Sequence, residues 1–506
     1  MGPTSSVPKS AVSKRSASND AASYEVIVIG SGFSGQSAVI GLNKAGIRDW
    51  HVLERRDFLG GTWCQNTYPG AAVDVQSPLY SISSEPYPWS QMFAERDELE
   101  EYTNHVIDKH GIRDRTDLNA DVSSLAWDDD AHQWVIDTRD GRTYHARFVI
   151  LGPGPLSNPK IPDFDGLDTF EGNSFHSNAW DHDDDLTGKR VAVVGSGASA
   201  AQIIPAIADQ VGELHVFQRT PHWVLPRRDR KFTPWQRRLL KNRFVYGAVR
   251  SAIYLGLETR VIGFKYWPGL LDLVAKRQAL AHIKKQIPDP EIRRKVTPDY
   301  TIGCKRVIVS STLYPAFCRP NVTLHDSSDG IDEIVPKGIV TAKGEKVELD
   351  TIVYATGYDA TDGATTFSVT GRNGVPIGDL WAEFPRAYLG TTMPGFPNMF
   401  LMLGPNTGIG HTSALFIMES QLRYALDCIR RTREGGHHAI EPTAEAEDRY
   451  TTWVHSAMER TVWASGGCSS WYQNSNSGKV IAMYPGFSFS YRFKASRFRP
   501  EDHTFT

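Results

Sequence analysis

Short runs of uninterrupted apolar residues punctuate the chain, and two of them, residues 26–29 and 191–194, are each followed at once by a glycine. A run this short, with no polar residue in alternation, is typical of a strand that is buried on both faces of a parallel sheet. A helical pattern, predicted to begin at Phe33 and to end near Lys44, follows the first run, and a second strand is predicted at 51–53. The same order of strand, turn and helix recurs after the second run. The pattern therefore predicts an α/β protein.

The glycines after the first strand have the spacing of a dinucleotide-binding loop. Gly30 is placed for the tight turn, Gly32 for close approach of the backbone to a pyrophosphate, and Gly35 for close packing of helix on strand. The phosphates are expected at the N-terminus of the helix, beside Ser34, where unpaired N–H groups and the helix dipole favour an anion. Glu54 ends the second strand, about 20 residues beyond the loop, and is placed to accept hydrogen bonds from ribose hydroxyls. Together these features predict a Rossmann-like domain.

The second glycine loop differs from the first in its charge. Gly195 and Gly197 open it, and Ala200 takes the third position, a replacement that this motif allows. The next strand is followed by Arg219 and Thr220 instead of an acid. A carboxylate at that point would repel a 2′-phosphate, whereas a guanidinium binds one through paired, charge-assisted hydrogen bonds. We therefore predict FAD at the first loop and NADPH at the second, with Arg219 and Thr220 among the NADPH ligands.

These patterns predict two Rossmann-like dinucleotide-binding domains. Residues 120–151 alternate as in a β-meander, with a hairpin turn at Asp140-Gly141. Residues 232–300 break the alternation and carry Arg, Lys and Leu on predicted helices; they form either a solvated basic face or an amphipathic face for a membrane surface. The predicted segments are a disordered leader at 1–23, the FAD-binding domain at 24–155 and 346–506, a linker at 156–185, and the NADP-binding domain at 186–345 with a helical insertion at 232–300.

The predicted linker contains an aromatic-rich segment that belongs to neither glycine loop. Its pattern, Phe-x-Gly-x-x-x-His-x-x-x-Trp-Asp, is formed by Phe170, Gly172, His176, Trp180 and Asp181. It resembles the fingerprint of the type I Baeyer-Villiger monooxygenases, which are class B flavoprotein monooxygenases, although many members have Trp-Pro where this chain has Trp-Asp. From its position, the segment is expected to couple the two nucleotide-binding domains. The alternative is a linker without a functional role.

Other motifs of the same family follow in the expected order. A Gly-Gly-Thr-Trp loop precedes the sequence Tyr-Pro-Gly-Ala-Ala-Val-Asp at 68–74. In the family the threonine and tryptophan line the flavin, and the aspartate lies near its reactive edge. Tyr80 resembles a further flavin-lining position, with a core tyrosine as the alternative. The resemblance thus implies a flavin site that includes Gly61, Thr62, Trp63, Asp74, Tyr80 and Val122.

In the second half of the chain, a Lys-Arg pair and a tryptophan resemble the NADP-binding side of the family. By this resemblance Lys305 contacts NADP, and Arg306 contacts the cofactors and enters the active site. Trp471 resembles a C-terminal tryptophan that closes over NADP, although it is equally consistent with a packing residue. The strand that ends in Ala-Thr-Gly at 355–357 resembles the hinge by which such enzymes re-enter the flavin domain. This resemblance implies that the second domain interrupts the first and that the chain then returns to the FAD-binding domain.

The resemblance implies a concrete reaction. NADPH reduces FAD, the reduced flavin captures dioxygen as a C4a-peroxyflavin, and this species attacks an aliphatic or cyclic ketone to give an ester or lactone. Arg306 is expected to stabilise the negative charge and Asp74 to orient Arg306, which makes these two the predicted catalytic residues. The rivals are a flavin-containing monooxygenase that oxidises nitrogen or sulfur, and a non-catalytic redox sensor that uses NADP and flavin only to change conformation.

Composition narrows the range of partners. The chain of 506 residues is long enough for two or three domains, and its net charge of −3, with acids and bases interspersed, gives no reason to expect nucleic acid or an anionic membrane. The five cysteines form no Cys-x-x-Cys pair, and their odd number argues against a disulfide framework and for a reducing, cytoplasmic location. No apolar run reaches the roughly 20 residues of a membrane span. We expect no metal ion, and a monomer or a homodimer.

Overall fold

The computed structural model describes residues 21–359, 366–468, 470–474 and 477–506. Most of the predicted leader, residues 1–20, lies outside these ranges, but Ala22 and Ser23 already belong to the first strand. The strands, in chain order, are β1 (Ala22–Ile29), β2 (Trp50–Leu53), β3 (Thr116–Asp117), β4 (Val122–Asp128), β5 (Gln133–Thr138), β6 (Thr143–Leu151), β7 (Asn173–His176), β8 (Arg190–Val194), β9 (Glu213–Phe217), β10 (Val224–Leu225), β11 (Ile308–Val309), β12 (Val322–His325), β13 (Ile331–Val335), β14 (Gly338–Thr341), β15 (Lys346–Glu348), β16 (Thr351–Tyr354), β17 (Ser368–Thr370), β18 (Met399–Leu401), β19 (Ile440–Pro442) and β20 (His503–Phe505).

Helices cover the sheets and form a separate block in the middle of the chain. The α-helices are α1 (Phe33–Lys44), α2 (Thr62–Gln65), α3 (Arg96–Lys109), α4 (Ala198–Ile207), α5 (Pro234–Leu240), α6 (Arg243–Glu258), α7 (Pro268–Leu271), α8 (Arg277–Gln286), α9 (Pro290–Val296), α10 (Leu313–Phe317), α11 (Ile377–Leu380), α12 (Ala414–Glu434), α13 (Ala444–Met458), α14 (Val462–Ser465) and α15 (Ser488–Ala495). Helices α5 to α9 lie within the range 232–300 of the predicted insertion. Among the described helices, none is long and apolar enough to cross a membrane.

The first sheet has the strand order β17-β4-β5-β6-β1-β2-β3, and β18 also pairs with β6. Strand β1 runs parallel to β2 and β6, with Val28 opposite Val52 and Ile150. Residues 26–29 are buried, as a strand covered on both faces must be. Strands β4, β5 and β6 form an antiparallel meander. The α/β class and the strands β1, β2 and β4 to β6 agree with the sequence prediction, whereas β3, β17 and β18 were not predicted.

The second sheet has the order β12-β9-β8-β16-β7, and all its strands are parallel. Two of these strands correct the predicted domain bounds. Strand β7 lies inside the predicted linker at 156–185, yet it forms an edge of this sheet. Strand β16 lies inside the range 346–506 assigned to the FAD-binding domain, yet it pairs with β7 and β8. Both errors have one physical reason, because the partner of a strand is set by residues far away in the sequence.

One covalent link also differs from expectation. Cys304 and Cys468 form a disulfide, with their Cα atoms 6.1 Å apart although 164 residues separate them along the chain. The expectation of no disulfide framework is wrong for this pair, since an odd number of cysteines does not prevent two of them from meeting. Cys64, Cys318 and Cys428 are free.

Candidate active site

A large cavity lies between the two sheets and reaches both glycine loops. Its volume is about 2000 Å³, whereas a pocket for one small molecule typically measures roughly 300 to 1,000 Å³. Its walls include both glycine loops, the Gly-Gly-Thr-Trp loop, the Lys-Arg pair and part of the helical insertion. The cavity thus has room for two dinucleotides and a small substrate.

The first glycine loop presents its backbone to this cavity. Gly30 has a φ of 96°, and a Cβ added at Gly32 would have the Cα of Gly61 as its nearest neighbour, at 3.7 Å. Gly32 caps α1 without a side-chain hydrogen bond, so the N–H groups of the first turn are available to an anion. The Glu54 carboxylate accepts hydrogen bonds from the N–H (2.9 Å) and hydroxyl (2.6 Å) of Ser31. These residues fit the pyrophosphate and ribose of a dinucleotide.

The second glycine loop also leads into a helix with an uncapped N-terminus, and the cations Arg219 and Lys305 lie beside it. A Cβ added at Gly197 would meet no described residue within 4 Å other than its chain neighbours, and α4 also begins without a side-chain cap. The Ser196 hydroxyl donates to the Thr220 carbonyl at 2.7 Å, which ties the loop to the turn after β9. Arg219 is exposed on this turn. Burial and the charge of Arg219 both lower the pKa of Lys305, so the two cations lie close enough to repel each other. Such a pair of cations suits a bound phosphate.

Aromatic side chains form one wall of the cavity beside the first loop. Trp63 and Tyr80 meet edge to face with ring centroids 5.9 Å apart, and Phe33 meets Tyr80 at the same distance. Thr62 begins α2 and Val122 begins β4, both at the cavity wall. Tyr80 lines the cavity and also packs against a core cluster, so its two interpretations apply together.

Arg306 and Asp74 meet at the cavity wall. The Arg306 Nη2 donates to both carboxylate oxygens of Asp74, at 2.7 and 2.5 Å. The side chain of Arg306 is 47% exposed and that of Asp74 is 21% exposed, and both line the cavity. The Asp74 charge raises the pKa of Arg306, which therefore stays protonated. The pair places a permanent, oriented positive charge between the two dinucleotide-binding loops.

The fingerprint segment lies behind the cavity, since none of the described wall residues falls within 170–181. His176 is buried at the end of β7, where its Nε2 lies 3.0 Å from the Gly357 carbonyl oxygen and its Nδ1 lies 3.2 Å from the Asn178 backbone nitrogen. Burial lowers the pKa of His176. The Nδ1 atom also lies 3.0 Å from Asn178 Oδ1, so both ring nitrogens have partners within the protein. His176 thereby joins the fingerprint strand to the turn at which the chain leaves the second sheet.

The other fingerprint residues pack around this strand. Phe170 joins an apolar cluster of the second sheet, and a Cβ added at Gly172 would lie 2.5 Å from the Phe170 ring. Trp180 packs against the main core of the same sheet. The Asp181 carboxylate accepts a hydrogen bond from the Asn173 amide at 2.8 Å, which joins the two ends of the segment. Every fingerprint residue thus supports the position of β7.

The disulfide brings a C-terminal segment to the NADP side of the cavity. Cys304 directly precedes Lys305, and its partner Cys468 lies three residues before Trp471. Trp471 lines the cavity, and its ring lies 4.6 Å from that of Tyr472. The predicted contacts Lys305 and Trp471 are therefore held in one region by a link that no local sequence signal indicates.

Further contacts join the 68–74 motif to the second domain through Gln202, a residue that the sequence did not single out. The Tyr68 hydroxyl donates to Gln202 Oε1 at 3.0 Å, and the Gln202 side chain donates to the Ala72 carbonyl at 2.9 Å. A Cβ added at Gly70 would lie 2.6 Å from the Gln202 carbonyl oxygen. The loop that carries Asp74 therefore rests directly on α4 of the second domain.

A buried acid-histidine pair at the cavity wall was also missed. His411 Nε2 lies 3.2 Å from Glu258 Oε2, and Ser488 donates to the same oxygen at 2.8 Å. Both residues of the pair are buried, and His411 lines the cavity. The pair joins α6 to the loop before α12. A single acid and a single histidine that are far apart in sequence carry no motif by which they can be found.

Gly35 and Ala200 do not line the cavity, unlike the other predicted cofactor ligands. A Cβ at Gly35 would lie 1.9 Å from the Gly30 carbonyl oxygen, and Ala200 is fully buried in the core of the second domain. Their role is the close packing of helix on strand. The predicted ligands that line the cavity are Gly30, Gly32, Ser34, Glu54, Gly61, Thr62, Trp63, Asp74, Tyr80, Val122, Gly195, Gly197, Arg219, Thr220, Lys305, Arg306 and Trp471.

The chain is similar to known proteins over almost its whole length. Residues 23–253 match the family described as flavin-binding monooxygenase-like. A Baeyer-Villiger monooxygenase of Pseudomonas aeruginosa is 43% identical over 94% of this chain and 90% of its own. The crystal structure of OTEMO in complex with FAD and NADP has a TM-score of 0.86 at 28% identity, covering 96% of this chain and 99% of that one. A closed crystal structure of cyclohexanone monooxygenase has a TM-score of 0.85 at 29% identity, covering 96% of this chain and 100% of that one.

The cavity has one site that fits FAD and a second site that fits NADPH. The loop beside Glu54 fits FAD, because this carboxylate can accept hydrogen bonds from ribose hydroxyls and would repel a 2′-phosphate. The loop beside Arg219 and Lys305 has no acid at the matching position and fits NADPH. The relative of 43% identity matches nearly the full length of the chain, and the OTEMO structure, which is similar at 28% identity, contains FAD and NADP. The chain therefore belongs to the Baeyer-Villiger monooxygenases, and it is an FAD-containing, NADPH-dependent enzyme that uses dioxygen to insert an oxygen atom next to a ketone carbonyl.

Proposed function

We propose that Arg306, oriented by Asp74, stabilises the negative charge that develops during oxygen insertion, and that the substrate is a small aliphatic or cyclic ketone. Bound at the second loop, NADPH would supply hydride, and FAD at the first loop would accept it and then activate dioxygen, of which one atom enters the ketone and the other leaves as water. The observation that carries the proposal is the contact of one guanidinium nitrogen with both Asp74 oxygens at the cavity wall. We assign the remaining predicted ligands to the cofactors on the same basis, since they line the same cavity.

A guanidinium suits this role for two physical reasons. It stays charged at any working pH, and it holds several N–H donors in one plane. One nitrogen of Arg306 engages Asp74, and the same plane offers further donors to a carbonyl oxygen that gains negative charge. Donors that are already oriented need no reorganisation as the charge develops, which is why they lower the barrier. Asp74 acts here as a positioning residue.

The substrate class follows from the apolar part of the cavity wall. Leu257, Phe264 and Leu271 of the helical insertion line this part. Apolar side chains stabilise a bound carbon skeleton by removing it from water, at roughly 25 cal/mol per Å² of apolar surface. The structurally similar cyclohexanone monooxygenase is named for a cyclic ketone, which supports a cyclic ketone as substrate here.

We also propose a cytoplasmic location and a monomeric or homodimeric enzyme. Three cysteines, Cys64, Cys318 and Cys428, are free thiols, which supports a reducing compartment, whereas the Cys304–Cys468 disulfide speaks against one. Fractionation of cell extracts and light scattering of the purified enzyme test the two points. An extracellular enzyme or a larger oligomer would contradict them.

A panel of linear, cyclic and aryl ketones tests the substrate class. Small aliphatic or cyclic ketones are expected to give the highest kcat/KM, with one ester or lactone formed for each NADPH consumed. The products are identified by mass spectrometry. A higher kcat/KM for aryl ketones would contradict the substrate class, and oxygen transfer only to nitrogen or sulfur would contradict the reaction.

Arg219→Ala tests the assignment of the NADPH site. Arg219 lies on the turn after β9, beside Lys305, so its loss removes a charged partner of the 2′-phosphate. A charged hydrogen bond contributes roughly 1.5 to 3 kcal/mol, so the KM for NADPH is expected to rise about tenfold or more. NADH lacks the 2′-phosphate and serves as the internal control, because its KM should change little. An unchanged ratio of the two KM values would refute the assignment.

His176→Ala tests whether the fingerprint couples the domains through position. The variant loses the contact with the Gly357 carbonyl and is expected to keep bound FAD, but to reduce it more slowly or to form less ester per NADPH. Stopped-flow absorbance and product yield measure the two effects. His176→Gln, whose amide offers a donor to the Gly357 carbonyl, is the matched control and should recover part of the loss. Normal reduction together with full coupling in His176→Ala would leave the segment with a packing role only.

Arg306→Ala tests the central assignment. The variant is expected to accept hydride from NADPH but to release hydrogen peroxide in place of ester. Loss of a preorganised donor costs roughly 10² to 10³ in rate, and the loss of a full charge can cost more. Asp74→Ala should show a milder form of the same defect, since the charge remains and only its orientation is lost.

Two controls accompany the measurements on Arg306→Ala. The FAD content of each variant, read from its absorbance spectrum, shows that the fold is retained. Arg306→Lys keeps the charge without the planar fork and should fall between wild type and Arg306→Ala. If Arg306→Ala formed ester at the wild-type rate with normal coupling, the roles of both Arg306 and Asp74 would have to be abandoned.

A further inference from the structure

Helix α6 exposes an uncharged face. Phe244 is 78% exposed and Leu255 is 63% exposed, and the exposed positions between them on the same face are Ala248 and Ser251. A helix face in contact with water normally carries charged and polar side chains. The opposite side of α6 is already packed against the protein through Tyr246. Helix α6 is therefore a surface helix with two sides that carry apolar residues, of which one packs against the protein and the other is exposed.

The apolar surface continues beyond the end of α6. Tyr266 is 62% exposed and Trp267 is 60% exposed, in the segment that follows the helix. The Tyr266 ring stacks on Phe487 with centroids 6.0 Å apart, and Phe487 stacks on the exposed Phe489 at 4.9 Å. We define the α6 face as Phe244, Ala248, Ser251, Leu255, Tyr266 and Trp267. Large exposed apolar surfaces of this kind mark a docking site.

Positive charge surrounds the α6 face. Residues 234–285 contain eleven Lys or Arg and two acids, whereas the whole chain has a net charge of −3. Of the two acids, Glu258 is buried against His411, and Asp272 lies 3.9 Å from Lys276. The exposed cations flank the face at both ends of α6, at Arg238, Lys241, Arg243 and Arg260.

We propose that the α6 face binds the surface of an anionic phospholipid bilayer. An uncharged helix face with cations at its flanks and Tyr, Trp and Phe at its ends has the chemistry of an interfacial helix. The apolar side chains enter the boundary between headgroups and acyl chains, and the cations are attracted to the lipid phosphates. A second copy of this chain is a poorer occupant, because two copies of the face would oppose cations to cations.

The position of the face gives the binding a consequence for access to the cavity. The inner side of the same segment, at Leu257, Phe264 and Leu271, lines the cavity. Val274 is both exposed and part of the cavity wall, so the mouth of the cavity lies in this region. An apolar ketone dissolved in the bilayer would then meet the cavity directly. Only this consequence rests on the proposed substrate class, and the binding itself does not.

Sedimentation of the FAD-loaded enzyme with vesicles tests the proposal. Vesicles of phosphatidylcholine mixed with phosphatidylglycerol are expected to bind it at least about tenfold more tightly than vesicles of phosphatidylcholine alone, and added salt should weaken the binding, because the Debye length falls from about 10 Å at 0.1 M to about 3 Å at 1 M. The double variant Phe244→Glu with Leu255→Glu should lose at least about tenfold in affinity, since two large apolar side chains no longer enter the bilayer.

Val375→Glu is the matched control, because Val375 is exposed but lies in another region, between β17 and α11. It should bind the mixed vesicles as the wild type does. FAD absorbance shows that each variant is folded, and the readout needs no turnover, so failure of the proposed reaction would not affect it. The proposal is overturned by absent binding, by equal binding to both vesicle types, or by unchanged binding of the double variant. It is also overturned if sedimentation velocity shows a dimer that the double variant dissolves while vesicles stay unbound.

Discussion

The contact between the Arg306 guanidinium and the Asp74 carboxylate is the interaction on which the proposed catalytic centre depends. It joins the loop after α2 to the turn before β11, so it forms only when both domains are in place. Two unit charges 4 Å apart attract each other by about 1 kcal/mol in water and by about 4 kcal/mol at an effective dielectric constant of 20. Because 47% of the Arg306 side chain is exposed, solvent in the cavity weakens this attraction, and its share of the folding free energy is modest. The contact matters chiefly because it orients the charge.

The surrounding contacts hold the two domains in the relation that this pair requires. The Asp74 loop rests on α4 through Tyr68 and Gln202. His176 fixes the fingerprint strand to Gly357, where the chain leaves the second sheet. The disulfide of Cys304 holds the segment that carries Lys305 and Arg306 against the C-terminal segment of Trp471. The fingerprint residues pack around β7 and, among the described residues, none of them lines the cavity, so the proposed coupling would act through the position of this strand.

The sequence predicted those parts of the enzyme that depend on local chemistry. Each glycine loop needs a backbone that approaches a phosphate, and each lies between a buried strand and a helix, so its position and partner acid or arginine could be located from spacing alone. The sequence could not place β7 and β16 in the second sheet, because pairing depends on strands far away in the chain. For the same reason, the sequence could not predict the Cys304–Cys468 disulfide or the contact of His411 with Glu258, since in each case the partners lie far apart along the chain. Gly35 and Ala200 were located correctly, but they serve packing and do not reach the cavity.

The enzyme transfers one atom of dioxygen to a ketone, and the proposed control of this step lies with Arg306 and Asp74. The most direct measurement is a single turnover of the wild-type enzyme with NADPH, cyclohexanone and isotopically labelled dioxygen, followed by mass spectrometry of the product. The account predicts a lactone that carries one labelled oxygen atom, with one NADPH consumed for each lactone formed. Label found only in hydrogen peroxide and water, with the ketone unchanged, would contradict it.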